Sequence, residues 1–154
     1  FLVFFSLGEL EEYQPPIGGQ NMKLAVAVLI EGNDSFLMIR RKRSPGVGLW
    51  ALPGGLAMEN ESTMAAASRE VCEELGLKVK IIGLIGVYCE NDSQLVLIVY
   101  AARSLSCEFK INPREIQEAQ FVDPDNIPAL AFERDRKIIS DWLICKRFNV
   151  WDWE

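Results

Sequence analysis

One helical segment between strand-like segments sets the main limit on what this chain can fold into. Residues 61–76, ESTMAAASREVCEELG, have an alanine-rich interior that favours an α-helix. Ser62 or Thr63 can cap the first turn, and Gly76 can end the helix in a left-handed conformation. Apolar residues recur at helical spacing, and we expect this stripe to face the core: Met64, Ala67, Val71 and Leu75.

The segments on either side of this helix have the composition of β-strands. Residues 23–31 (KLAVAVLIE) and 35–43 (SFLMIRRKR) flank the turn signal GND and predict a hairpin. Residues 44–55 are rich in Gly and Pro, and we expect a loop with a short extended piece at Trp50 to Leu52. Further strands are predicted for 78–90, 94–104 and 115–124, and a closing amphipathic helix for 135–148. This order predicts an α/β (α+β) fold, a mixed β-sheet sandwiched between helices.

The composition is that of a globular chain and excludes several functions. A length of 154 residues suits a single domain, and 49% of the residues are hydrophobic. The formal net charge of −6 argues against a nucleic acid partner or an anionic membrane bound through the overall field. No apolar run approaches the roughly 18 residues that span a bilayer. Four cysteines without a C-x-x-C pair, and no histidine, do not fit a zinc site and favour a reducing, cytoplasmic compartment.

The predicted helix carries a group of carboxylates that repel one another. Glu70, Glu73 and Glu74 are three and four residues apart, so they share a helix face beside Arg69. Such a face is commonly a solvated acidic surface. It can also be a site for Mg2+, which prefers oxygen ligands and neutralises the repulsion.

The spacing around these glutamates resembles the Nudix hydrolases. From Gly55 to Leu77 the chain follows the pattern G-x5-E-x7-R-E-U-x-E-E-x-G-U, in which U is aliphatic, at every position. The likeness extends to LWALPGG, RRKRSPG and LAF, and covers about residues 22–145. It implies one Nudix domain at 22–148, with an N-terminal extension at 1–21 and a tail at 149–154.

The resemblance implies an enzyme that uses Mg2+ or Mn2+ to hydrolyse a diphosphate linking a nucleoside to another moiety. Arg69 is then expected to orient a glutamate, Glu61 to hold the loop or a second water, and Glu70 to be the first choice of general base. A glutamate from a downstream loop serves instead in some members, and Glu115 and Glu118 stand where that loop is expected. The implied metal ligands are Gly55, Glu70, Glu73 and Glu74, with Glu115 added from that loop.

Substrate-binding residues are expected from the one basic run and from two aromatic residues. Arg40 and Arg41 begin the run RRKR, and alternation along a strand allows at most two of its side chains to share a pocket. Trp50 and Tyr88 could stack on a nucleobase. The alternative for the basic run is a solubilising sheet edge, and for the aromatics it is a place in the core. Pro53-Gly54-Gly55 is expected to form a turn whose backbone lets a carbonyl approach the metal.

The identity of the substrate stays open at this level. We favour ADP-ribose, a dinucleotide or a nucleotide sugar, although the Pro that often follows the motif by about sixteen residues in the ADP-ribose branch is absent from residues 92–94. The alternative is a pyrophosphohydrolase of (deoxy)nucleoside triphosphates, and a weaker one is a sensing domain without turnover. The apolar FLVFF at the start of the chain suggests a homodimer, since monomers rarely expose such patches.

Overall fold

The computed structural model describes residues 22–89 and 94–148 of the chain. Residues 90–93, and the expected N-terminal extension at 1–21 and C-terminal tail at 149–154, lie outside these ranges. The strands are β1 Lys23–Glu31, β2 Phe36–Arg41, β3 Trp50–Ala51, β4 Gly54–Leu56, β5 Val79–Cys89, β6 Leu95–Ser104 and β7 Ile116–Val122, and the helices are α1 Thr63–Leu75 and α2 Arg134–Arg147. Within the described part of the chain, no helix is long and apolar enough to span a bilayer.

Strand β1 is the centre of a mixed seven-stranded sheet. It pairs in parallel with β6 along its whole length and antiparallel with β4. Strand β6 in turn pairs antiparallel with β5. On the other side, β2 meets β1 at Glu31 and Phe36 and pairs antiparallel with both β3 and β7. The predicted mixed sheet is confirmed.

The helices cover opposite faces of this sheet and create two apolar layers. Strand β1 is a continuous apolar run because both of its faces are buried. Trp142 of α2 packs edge-on against Phe36, with ring centroids 5.5 Å apart. Alternate residues of β1 belong to the two layers: Ala25, Ala27 and Leu29 on the side of α2, and Val26, Val28 and Ile30 on the side of α1. The sandwich of a sheet between helices is therefore confirmed.

Helix α1 begins and ends as the sequence predicts, but its buried stripe is shifted. The Ser62 hydroxyl accepts a hydrogen bond from the amide of Ala65, and Gly76 adopts the left-handed conformation. Met64 was expected in the core and is 45% exposed. The first turn instead meets the sheet through the hydroxyls of Thr63 and Tyr100, whose oxygens are 2.7 Å apart, so apolar packing starts one turn later.

The expected turn at Pro53-Gly54-Gly55 is wrong, because Gly54 and Gly55 belong to strand β4. Gly54 has φ +157°, and a Cβ added there would lie 2.1 Å from the Val26 carbonyl oxygen. Only glycine lets the backbone run this close to β1. The close approach carries β4 beneath α1, where the glutamates lie.

Candidate active site

Two adjacent glycines of β4 lie directly against two glutamates of α1. The amide of Gly54 donates a hydrogen bond to Glu74 Oε2 at 3.0 Å. A Cβ on Gly55 would lie 2.5 to 2.6 Å from the carboxyl atoms of Glu70. Gly54 thus binds one carboxylate through its amide, and Gly55 leaves room for the other over the strand.

Arg69 forms hydrogen bonds with the other acidic side chains of this region. Its guanidinium donates two hydrogen bonds to Glu61, at 2.8 and 3.0 Å, and one to Glu70 at 2.8 Å. It also contacts Glu73 at 3.2 Å and the Leu56 carbonyl oxygen at 3.0 Å. The hydrogen bonds from Arg69 lower the pKa of Glu61. Arg69 therefore offsets the repulsion on the helix face and ties α1 to the loop that precedes it.

Glu74 is a carboxylate in an environment that disfavours its charge. The residue is only 5% exposed. Its pKa is raised to about 8, chiefly by burial and to a smaller extent by the nearby Glu70 and Glu115, against the hydrogen bond from the Gly54 amide. Burial also raises the pKa of Glu70, against the hydrogen bond from Arg69. Carboxylates that are buried close together in this way are stabilised in their charged form when a cation binds between them.

A cavity of about 370 Å³ opens over these carboxylates. Glu70, Glu74 and Glu115 line it together with Gly55 and Arg41, all five of which the sequence selects. Glu115 reaches it from the turn before β7, where its carbonyl oxygen accepts a hydrogen bond from the amide of Lys42. We call this space the carboxylate cavity.

Three of the other predicted site residues lie away from the carboxylate cavity. Arg40 and Glu118 face each other on β2 and β7 and form an ion pair at 3.8 Å. Glu118 thus lies in a strand and not in the expected loop. Glu73 projects outward from α1 and is 51% exposed. Its bond to Arg69 is its link to the rest of the group.

The two predicted aromatic residues make contacts within the fold. Trp50 is partly buried against the layer under α2, and its backbone bonds to the segment at Ala129 and Ala131. The Tyr88 hydroxyl donates a hydrogen bond to Asp141 at 2.7 Å. Burial and this bond raise the pKa of Tyr88. Both residues therefore have structural contacts that account for them.

A second, mainly apolar cavity of about 570 Å³ adjoins the carboxylate cavity. The two share Arg41 and the strand residues Gly54 to Leu56. We call it the apolar cavity, and its walls include Leu52, Leu97 and Phe132. Buried Asp135 also lines it and accepts a hydrogen bond from the amide of Leu52 at 3.3 Å.

Phe132 and its neighbours are site residues that sequence reasoning missed. The guanidinium of Arg41 lies 5.1 Å from the centroid of the Phe132 ring, and that of Arg134 lies 4.4 Å from it. The segment LAF resembled the family pattern, but nothing in its composition showed that it packs beside Arg41. That contact depends on the bridge of Trp50 to Leu130, which joins two distant parts of the chain.

The donor set fits a hard divalent cation. Three carboxylates and a glycine backbone line one cavity, and carboxylate and carbonyl oxygens are the ligands that Mg2+ accepts. In the described residues, no three acidic or cysteine side chains already converge on one point. Glu70 and Glu73 each bond to Arg69 through one carboxylate oxygen, so the second oxygen of each is the one that could bind a metal without breaking that bond.

Comparison with known proteins gives one consistent family. The model of the NUDIX domain matches residues 21–143. The ADP-ribose pyrophosphatase of Methanocaldococcus jannaschii is 37% identical over 124 residues, which cover 78% of this chain and 72% of that protein. The NAD-capped RNA hydrolase NudC of Pseudomonas entomophila is 26% identical over 127 residues, covering 82% of this chain but 46% of that protein.

Solved structures agree with the family match. The crystal structure of a NUDIX hydrolase from Nitrosomonas europaea superposes with a TM-score of 0.73 and 27% identity, covering 84% of this chain and 73% of that one. The chain therefore belongs to the Nudix family. Within it the protein is a pyrophosphohydrolase, an enzyme that acts on acid anhydrides.

Proposed function

We propose that this protein uses Mg2+ or Mn2+ to hydrolyse the phosphoanhydride of a nucleoside diphosphate linked to another moiety, with ADP-ribose as the first candidate. The observation that carries the proposal is the carboxylate cavity, which Glu70, Glu74 and Glu115 line together with Gly55. The relative from Methanocaldococcus jannaschii, described as an ADP-ribose pyrophosphatase, supports the choice of substrate.

The residues that would hold the cation are Gly55, through its carbonyl, and Glu70, Glu74 and Glu115, with Glu73 joining if it turns from Arg69. The cation would screen the diphosphate charge and lower the pKa of a bound water. The Gly54 amide fixes Glu74, and Arg69 orients Glu70 while holding Glu61 over the loop. Glu70 would accept the proton of the attacking water, since it lines the cavity at the helix surface.

The adjoining cavities support one orientation of the substrate. Arg41 belongs to both, so its guanidinium is placed to contact the phosphates between them. The apolar cavity offers Phe132 and aliphatic walls to a nucleobase. Phe132 would thereby take the base-stacking role that we expected of Trp50 and Tyr88. Glu118 and Arg40, paired with each other, would support β2 and β7 rather than contact the substrate.

The test is release of nucleotide or phosphate from a panel of substrates with Mg2+ present. The panel comprises ADP-ribose, flavin dinucleotide, NADH, diadenosine polyphosphates and (deoxy)nucleoside triphosphates. We expect ADP-ribose to be turned over with the highest kcat/KM. Turnover confined to triphosphates would instead assign a pool-sanitising enzyme. An absence of metal-dependent turnover across the panel would favour a sensing domain and contradict the proposal.

We also propose a cytoplasmic enzyme with small-molecule substrates and no nucleic acid partner. The exposed, unpaired thiols of Cys72, Cys89 and Cys107 support a reducing compartment. The net charge of −6 disfavours binding to a polyanion. The suggested homodimer depends on residues 1–5, which lie outside the described ranges, and light scattering at micromolar concentration tests it.

A further inference from the structure

The basic run at residues 40–43, which begins at the end of β2, has side chains in two kinds of position. Arg40 donates to the Gly48 carbonyl oxygen at 2.9 Å, and the ammonium of Lys42 donates to that of Pro113 at 2.6 Å. Arg41 and Arg43, two residues apart, line the carboxylate cavity. Arg41, the last residue of β2, and Arg43, just beyond it, thus bring two guanidinium groups to the place where a diphosphate would lie.

These two guanidiniums are held to different degrees. Arg41 donates to the Pro45 carbonyl oxygen at 2.7 Å and lies over the Phe132 ring, so its position is fixed from two sides. Arg43 has a side chain that is 62% exposed and an ion pair with Glu115 at 3.7 Å. A long and largely exposed pair of this kind contributes little energy, and separating it costs little.

The partner of Arg43 is one of the carboxylates proposed for the cation. Glu115 lines the same cavity as Glu70 and Glu74, and its side chain is 32% exposed. A phosphate that enters between Arg43 and the carboxylates would offer the guanidinium two or more oxygens. Guanidinium–phosphate contacts are bidentate and charge-assisted, so they exceed a single exposed contact with a carboxylate.

We propose that Arg43 exchanges its ion pair with Glu115 for the phosphate oxygens of the substrate, and is a substrate-binding residue for the diphosphate. Arg41 then acts as the fixed contact and Arg43 as the contact formed on binding. The exchange also releases Glu115 towards the carboxylates of α1. This inference rests on the proposed function, because it requires a diphosphate in the carboxylate cavity.

The test is equilibrium binding, which does not depend on turnover. The probe is the non-hydrolysable α,β-methylene analogue of ADP-ribose, titrated calorimetrically with Mg2+ present. We expect Arg43→Ala to weaken binding about tenfold, as for loss of one charge-assisted contact, and Arg43→Lys to weaken it less. Arg103→Ala is the matched control, because Arg103 is 68% exposed and pairs with Glu31 at 3.5 Å away from the cavity. It should bind like the wild type.

A variant of Glu115 separates direct contact from a merely structural role. If Arg43 served only to hold Glu115, its replacement would have no further effect in a Glu115→Gln background. We expect the tenfold loss to persist there, and its disappearance would overturn the inference. Equal affinity of Arg43→Ala and wild type would overturn it too, with the proposed function intact. Failure of the wild type to bind the analogue would contradict the proposed function itself.

Discussion

Each helix buries one carboxylate against the same short segment of chain. Glu74 of α1 accepts a hydrogen bond from the amide of Gly54, and Asp135 of α2 accepts one from the amide of Leu52. The two residues are 5% and 3% exposed. Since the helices cover opposite faces of the sheet, the segment between Leu52 and Gly54 is fixed from both sides by the same device.

The surroundings of the two carboxylates make them chemically different. Glu74 lies with Glu70 and Glu115 in the carboxylate cavity, where burial and like charges raise its pKa. Asp135 stands in the first turn of α2, where the helix dipole favours negative charge, and it lines the apolar cavity. A buried carboxylate that accepts a strand amide therefore stabilises the fold in both places. It becomes a cation site only where further carboxylates gather around it.

Replacing Glu74 should separate the two roles most strongly. Glu74→Gln keeps an acceptor for the Gly54 amide but removes the ionisable group that a bound cation would hold in its charged form. We expect kcat to fall about 10³-fold, as for loss of a preorganised electrostatic contact, with little change in the circular dichroism spectrum. If this variant retained most of the wild-type activity, Glu74 would have no part in the mechanism.

The control for this variant is Asp135→Asn, measured by thermal unfolding with and without Mg2+. A cation at ten times its Kd stabilises a protein by about 1.4 kcal/mol. We expect that Mg2+ raises the Tm of the wild type and of Asp135→Asn and leaves Glu74→Gln unchanged. A shift of equal size in all three would place the cation elsewhere.

The adjacent glycines of β4 allow a finer test of the difference between a role in stability and a role in the site. The three atoms nearest to a Cβ at Gly55 all belong to the Glu70 carboxyl group, a side chain that can move aside. Displacing a reacting group by about 1 Å costs on the order of 10²-fold in rate, and we expect that loss of kcat from Gly55→Ala in a folded protein. A Cβ at Gly54 meets the backbone of Val26 and Ala27, so Gly54→Ala should reduce stability itself. Thermal unfolding beside steady-state kinetics distinguishes the two, and a stable, active Gly55→Ala would contradict the packing described here.

Much of this arrangement was predictable because it is local. The spacing of Arg69, Glu70 and Glu74 on one helix, and the caps at Ser62 and Gly76, depend on residues close in sequence. The continuous apolar run of β1 likewise indicates a strand buried on both faces. Such patterns need no knowledge of what packs against them.

The features that the sequence did not reveal lie where distant parts of the chain meet. Tyr88 is a residue type that can stack on a base, and its hydroxyl donates a hydrogen bond to Asp141, 53 residues later. Phe132 was missed because its contact with Arg41 joins segments about ninety residues apart. The expected turn at Gly54 became a strand since β1 passes directly beneath it. Tertiary contacts decide these cases, and local composition does not report them.

Removing the acceptor on the α2 side should affect stability rather than cation binding. Asp135→Ala leaves the Leu52 amide buried without that acceptor, which costs about 2 kcal/mol, or about 6 °C in Tm. The Mg2+-induced increase in Tm should remain. If Asp135→Ala instead abolished that increase, the two carboxylates would not be independent, and the distinction between them would fail.

The smallest effect concerns how the two helices begin. Ser62 caps α1 through its hydroxyl, whereas Glu133 at the start of α2 makes no capping hydrogen bond. Ser62→Ala should therefore lower stability by about 1 kcal/mol, or about 3 °C in Tm, and Glu133→Ala by less than about 0.5 kcal/mol. Because Glu70 and Glu74 lie in the later turns of α1, fixed by Arg69 and Gly54, kcat of Ser62→Ala should equal that of the wild type at temperatures where both are folded. A lower kcat would show that the position of the carboxylates depends on the first turn of α1. The hydrogen bonds to Arg69 and Gly54 would then not be sufficient to hold the site.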